Sequence, residues 1–171
     1  CSVVARNLSI SLKKCANVCM ISVVRPDYFG FNQVNLTENL VRVHYIGPCS
    51  LFRSARFTGK FLLPDQILTT GKILNALKLL DSEFGVDVVH VYNVSHLMTC
   101  TLSKIFLKKT TVVHVFNIYS LTGEVLANPF VDAYVCTSKF VRSQLIKKGL
   151  PKEKAHLVPP VIDTSLYRRL H

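Results

Sequence analysis

Apolar and polar positions change period several times along this chain. Residues 3–15 place Val4, Leu8, Leu12 and Cys15 on one helical face, with Arg6, Lys13 and Lys14 elsewhere. "VCMISVV", 18–24, is a short, continuous apolar run rich in β-branched residues, as expected of a strand buried on both faces. "RPDYFG" breaks it. "VRVHYIG", 41–47, alternates more and reads as a strand near a sheet edge, and a looser stretch follows over 48–64. Helical spacing returns at 67–81, carried by Ile73, Leu74, Leu77 and Leu80. "GVDVVHVYN", 85–93, reads as a second buried strand. Residues 95–107 read as a helix with Met98, Leu102 and Ile105 inward. "TTVVHVFN", 110–117, is a third such strand. A short helix is expected at 122–128 before Pro129, then a strand in "DAYVCTS", 132–138. Ser138 is placed to cap a helix running to about Lys148, with Gly149 and Pro151 as stop signals. "HLVPPVI", 156–162, is the last expected strand.

Apolar strands alternating with helices imply an α/β fold, with a largely parallel sheet covered by helices on both faces. In such sheets ligands bind beyond the C-terminal ends of the strands. Topology alone therefore nominates Arg25 and Asp27, then Tyr92, Asn93 and His96, then Phe116 and Asn117, then Thr137 and Ser138.

A length of 171 residues suggests one domain with ample material for a core. Hydrophobic residues make up 49% and charged residues 18%, which argues against disorder. No apolar run approaches the ~18 residues of a membrane span. Lys and Arg outnumber Asp and Glu by 21 to 10, a formal charge of +11. Such an excess serves solubility or favours an anionic partner: nucleic acid, a phosphorylated substrate or an acidic membrane surface. No nucleic-acid recognition motif supports the first of these. The six cysteines form no CxxC pair and suit no zinc site, so no metal is expected. Several lie in apolar runs, as buried thiols do, which makes a reducing cytoplasm the default compartment. The three N-x-S/T triplets, at Asn7, Asn35 and Asn93, are read as accidental. Neither GxSxG nor GxxxxGK[ST] occurs, and the histidines are scattered singly.

"DAYVCTSKFVRSQLIKKGLPKEKAHLVPPVIDTSLYRRL" resembles the end of the N-terminal domain of family 4 glycosyltransferases. These are retaining hexosyltransferases with the GT-B fold, two Rossmann-like domains facing across a cleft. The matching features are a strand ending in serine, a helix ending "KKGLP", and a strand ending in prolines and "xxD". "DVVHVYN" resembles the family's fourth strand, "TTVVHVFN" its fifth, and "VVARNLSISLKKCANVCMISVVRPD" its first helix and second strand. The resemblance implies an N-terminal, acceptor-binding domain. The full-length protein would take a UDP- or GDP-sugar donor and a carbohydrate or lipid-linked acceptor. Leaving-group stabilisation, by a basic pair and two glutamates, would come from a C-terminal GT-B domain, so this domain alone would bind no donor and be inactive.

Three departures from the pattern stand out. The family's fifth strand often ends in His-Asp, with the histidine beside the donor sugar; Phe116 and Asn117 occupy those positions. His114 lies two residues earlier on the same strand face and reads as a hydrogen-bonded core histidine. Pro160-Val161 replaces the usual glycine-containing pair before the final aspartate, Asp163. The family's first strand and Gly-rich loop, whose amides would approach the donor phosphates, are expected before residue 1. That implies a preceding segment of roughly 10–20 residues. Asp27, Asp87, Asp132 and Asp163 read as strand-end or capping residues rather than acids of catalysis.

Two basic regions remain. In "LFRSARFTGKFLLPDQ", 51–66, Arg53, Arg56 and Lys60 interleave with Phe57 and Phe61. The segment either folds its apolar residues into the domain or meets an anionic membrane surface, placing the protein peripherally on the cytosolic face. Lys139 to Lys154 is a second basic run, read as a solvated face. A rival to the enzyme reading is a non-catalytic α/β module that binds a phosphorylated ligand or a protein partner.

Overall fold

The computed structural model describes residues 8–9, 11–23, 35–38, 41–46, 63–92, 97–116 and 128–160. They fall into two units, Asn17–Val86 and a second made of Cys1–Ala16 with Asp87–His171. The short helix expected at 122–128 lies outside the described residues except for Asn128, which is not helical.

The Asn17–Val86 unit holds β1 (Cys19–Val23), β2 (Asn35–Glu38), β3 (Val41–Ile46) and α1 (Leu63–Phe84). Strand β3 is central: β1 pairs with it in parallel and β2 antiparallel. This corrects the edge position expected for "VRVHYIG". Alternation reports how a strand's two faces are covered and says nothing of how many neighbours its backbone has. Strand β2, "NLTE", has no apolar signature, and its partner supplies the pairing. Helix α1 packs against β3 and buries Thr70, Ile73, Ala76, Leu77 and Leu80, at the spacing of one helical face. Gly85 ends it at φ 68, donating to the Asp81 carbonyl, while the Asp81 carboxylate accepts from Val86 N–H at 2.8 Å. Glycine suits this left-handed turn because it has no Cβ to clash.

The other unit is a four-stranded parallel sheet in the order β4 (Val88–Tyr92), β5 (Thr110–Val115), β6 (Ala133–Cys136), β7 (Ala155–Leu157). Helix α2 (Leu97–Leu107) connects β4 to β5, and α3 (Lys139–Lys147) connects β6 to β7. Each packs against the strands it connects. The register places Val89, Val91, Thr111, Val113, Val115, Tyr134 and Cys136 on one face, and all are buried. Helices α2 and α3 lie on that face. The Cys100 thiol is close enough to Tyr134 to help push its phenol up to about 12, after burial itself. Burial pushes the Cys136 thiol upward, against the pull of Arg142. Val141 and Leu145 of α3 complete the layer.

At the N-terminal ends of β5 and β6, Asp132 ties the elements together. Its carboxylate accepts from Lys104 Nζ at 2.8 Å on both oxygens and from Thr111 N–H at 2.8 Å. Partial desolvation alone would raise the Asp132 pKa, but the bonds from Lys104 and Thr111 hold it below the usual carboxylate range. Ser138 caps α3, its side chain accepting from Val141 N–H at 3.1 Å. Gly149, at φ 103, closes the helix, with Leu150 N–H reaching the Leu145 carbonyl and both leucines buried.

Two expectations change here. The last strand spans Ala155–Leu157, not 156–162. Val158 N–H adds one more bond, to the Cys136 carbonyl at 3.0 Å. Pro159 and Pro160 then offer no N–H to continue the ladder. Helix α2 is also rotated relative to the expected phase. Thr99, Cys100 and Ser103 are its buried residues, whereas Met98 and Leu102 are half-buried and Ile105 is exposed. Small side chains let the helix approach the sheet closely, and that geometry overrode the apolar pattern.

Candidate functional site

The second face of the β4–β7 sheet carries a cluster of rings. Residues 90 and 92 on β4 and residues 114 and 116 along β5 share this face, because side chains alternate and Tyr92 pairs with His114. Four rings result: His90, Tyr92, His114 and Phe116. The two imidazoles stack at 5.4 Å and 3° between planes, and His114 stacks on Phe116 at 4.6 Å and 6°. Tyr92 stacks on His90 at 4.9 Å, on His114 at 5.2 Å and on Phe116 at 6.1 Å. These separations lie in the 4.5–7 Å range of favourable ring pairs. Tyr92 and Phe116 stand at the carboxyl ends of their strands, where ligands of parallel sheets bind.

The ladder is polar at its base and hard to charge. Burial, then repulsion from His114, lowers the His90 pKa to about 4, and burial lowers that of His114. Burial also pushes the Tyr92 phenol up to about 12. At neutral pH all of these groups are uncharged. Among the described residues, His90 Nε2 and both ring nitrogens of His114 have no hydrogen-bond partner, although His114 is 2% exposed. His114 is thus a core histidine, as expected, and among the described residues it stacks on ring faces without a hydrogen-bond partner.

Of the nominated residues, the structure brings Tyr92 and Phe116 together. Thr137 follows the adjacent strand, its hydroxyl donating to the Val115 carbonyl at 3.4 Å, and Ser138 is committed to capping α3. Arg25, Asp27, Asn93, His96 and Asn117 lie outside the described residues, as do Arg53, Arg56, Phe57, Lys60 and Phe61. His90 was missed by sequence reasoning. Its signal was the i, i+2 spacing shared by His90/Tyr92 and His114/Phe116, which becomes a cluster only once the strand register is known. Among the described residues no group of three or more His, Cys, Asp or Glu side chains could hold a metal ion.

The chain spans about a third of the length of the solved proteins it resembles. Crystal structures of Anabaena Alr3699/HepE with UDP and with UDP-glucose match at TM-scores of 0.52 and 0.53, each at 15% identity over 75% of this chain and 33% of that one. The same protein with UDP and glucose matches at a TM-score of 0.50 and 14% identity, over 75% of this chain and 34% of that one. At such identity the likeness shows the fold, an α/β arrangement of the GT-B type. No curated protein matches the chain. The model of Glycosyltransferase Family 4 matches residues 36–166, which cover most of the chain and every described strand from β3 to β7. The chain belongs to glycosyltransferase family 4.

Proposed function

We propose that this chain is the N-terminal, acceptor-side domain of a GT-B glycosyltransferase. In this reading the full-length protein moves a sugar from a UDP- or GDP-sugar to a carbohydrate or lipid-linked acceptor. The C-terminal domain supplies the donor pocket and the leaving-group charge, so residues 1–171 alone are inactive. The observation that carries the reading is the Tyr92–Phe116 pair at the carboxyl ends of adjacent parallel strands, in a chain of this family. Their ring faces offer apolar contact to an acceptor, and the phenol of Tyr92 offers one donor. Phe116 can stack but cannot hydrogen-bond, so in this reading polar recognition falls to the other residues nominated from the sequence, Asn93, His96, Asn117, Arg25 and Asp27. Peripheral placement on the cytosolic face of a membrane suits a lipid-linked acceptor and the charge of +11.

The test is nucleotide release from UDP- and GDP-sugars by the full-length protein, with and without acceptor. Tyr92→Ala and Phe116→Ala should each lower kcat/KM for acceptor by roughly tenfold, about 1.4 kcal/mol of lost transition-state contact. Release of neither nucleotide with any donor would leave the non-catalytic module as the better reading.

A further inference from the structure

Helix α2 is turned inside out for a helix that lies on a sheet. Its buried residues are Thr99, Cys100 and Ser103, at 2%, 0% and 0% exposure. Among the described residues the hydroxyls of Thr99 and Ser103 have no hydrogen-bond partner, an arrangement that costs free energy for each orphaned group. Its exposed apolar residues are Ile105, at 46%, and Phe106, at 65%, with half-buried Met98 and Leu102 beside them at helical spacing. A helix apolar on its outer side as well as packed on its inner side is ordinarily covered on both.

The charge around the stripe says what covers it. No Asp or Glu occurs between residues 97 and 109. Lys104 is held by Asp132. Lys108 follows directly, exposed and at φ 54, where the chain turns out of the helix. An apolar stripe ending in a cation suits an anionic lipid surface, where a few inserted side chains and nearby positive charge suffice. A second copy fits less well. A stable protein interface takes about 20–30 residues a side, the stripe offers four, and each copy carries +11. We infer that the outward face of α2 docks on anionic lipid, with Ile105 and Phe106 entering the headgroup–acyl boundary and Lys108 meeting lipid phosphate. The inference rests on the peripheral placement proposed above and deepens it. It assigns that placement to α2 and not to the 51–66 segment.

Co-sedimentation of the full-length protein with phosphatidylcholine vesicles, with or without phosphatidylglycerol, tests it. Wild type should bind the anionic vesicles and lose binding as salt rises. I105E/F106E should abolish binding and melt within a few degrees of wild type, since both positions are exposed. K108E should weaken binding on the order of tenfold on anionic vesicles. Any of three results would overturn the inference. The first is wild type failing to sediment with anionic vesicles; the second is I105E/F106E and K108E binding like wild type while F57E/F61E does not; the third is a dimer, found by light scattering without lipid, that I105E/F106E separates. Sugar transfer is assayed separately with a soluble acceptor, so its failure and the failure of lipid docking are distinguishable.

Discussion

The two faces of the β4–β7 sheet share the same strands and differ in almost everything else. On the helix-covered face Val113, Val115, Tyr134 and Cys136 are fully buried. On the opposite face Val112, Val135, His90 and Tyr92 are half-buried, and among the described residues His114 alone is buried. One face is held by close packing, which is unforgiving of lost volume. The other is held by stacked rings with unpaired nitrogens, which tolerates change but responds to protons. The alternation of a β-strand thus separates a closely packed face from one that carries stacked rings.

Substitutions on the packed face should break that contrast most severely. Tyr134→Ala removes a fully buried ring and should cost about 3–5 kcal/mol in urea unfolding. An effect near 1 kcal/mol would mean the face is less tightly packed than described. The ring face should show itself next, through pH. Because the folded His90 pKa, about 4, lies below its ordinary 6.5, the unfolded chain binds more protons between those values. Stability is therefore full above pH 6.5 and falls by about 3 kcal/mol as pH drops to 4. His90→Phe should remove much of this slope and leave stability at pH 7 equal or higher, since it deletes an orphaned nitrogen. An unchanged slope would place the responsible group elsewhere. A paired comparison sharpens the point within one strand. Val113→Ala should cost about 2 kcal/mol and Val112→Ala less than about 1, because only the first leaves a closed cavity. Equal costs would erase the distinction between the faces. A modest effect is expected at the sheet's N-terminal end, where Asp132→Asn weakens the partly exposed pair with Lys104 and should cost less than about 1 kcal/mol at pH 7. Since the Asp132 pKa is lowered in the fold, that contribution is present at neutral pH and disappears as pH falls below the ordinary carboxylate range.

Much of the fold could be read before any coordinates. The runs "VVHVY", "TTVVHV" and "AYVC" are strands because short apolar stretches rich in β-branched residues and bounded by turns have few other uses. Helix α3 could be read end to end, since Ser138 and Gly149 are chemical signals of its two caps. The phase of α2 could not. "LMTCTLSKIFL" has apolar residues around most of its circumference, so periodicity alone selects no face. The edge or central position of β3 was equally hidden, because pairing is a property of the neighbour and not of the strand. Half of the candidate site was visible as strand-end residues. The ladder was not, since His90 and His114 are 24 positions apart in the chain.

By itself the sequence determined the alternation of strands and helices, the caps and stops, and family membership, all of which depend on residues near one another in the chain. Tertiary structure decided which residues share a face, which way α2 turns, and that two imidazoles, a phenol and a phenyl ring stack. Those outcomes depend on strand register and on how closely a helix can approach a sheet, and both are fixed by contacts between residues far apart in sequence.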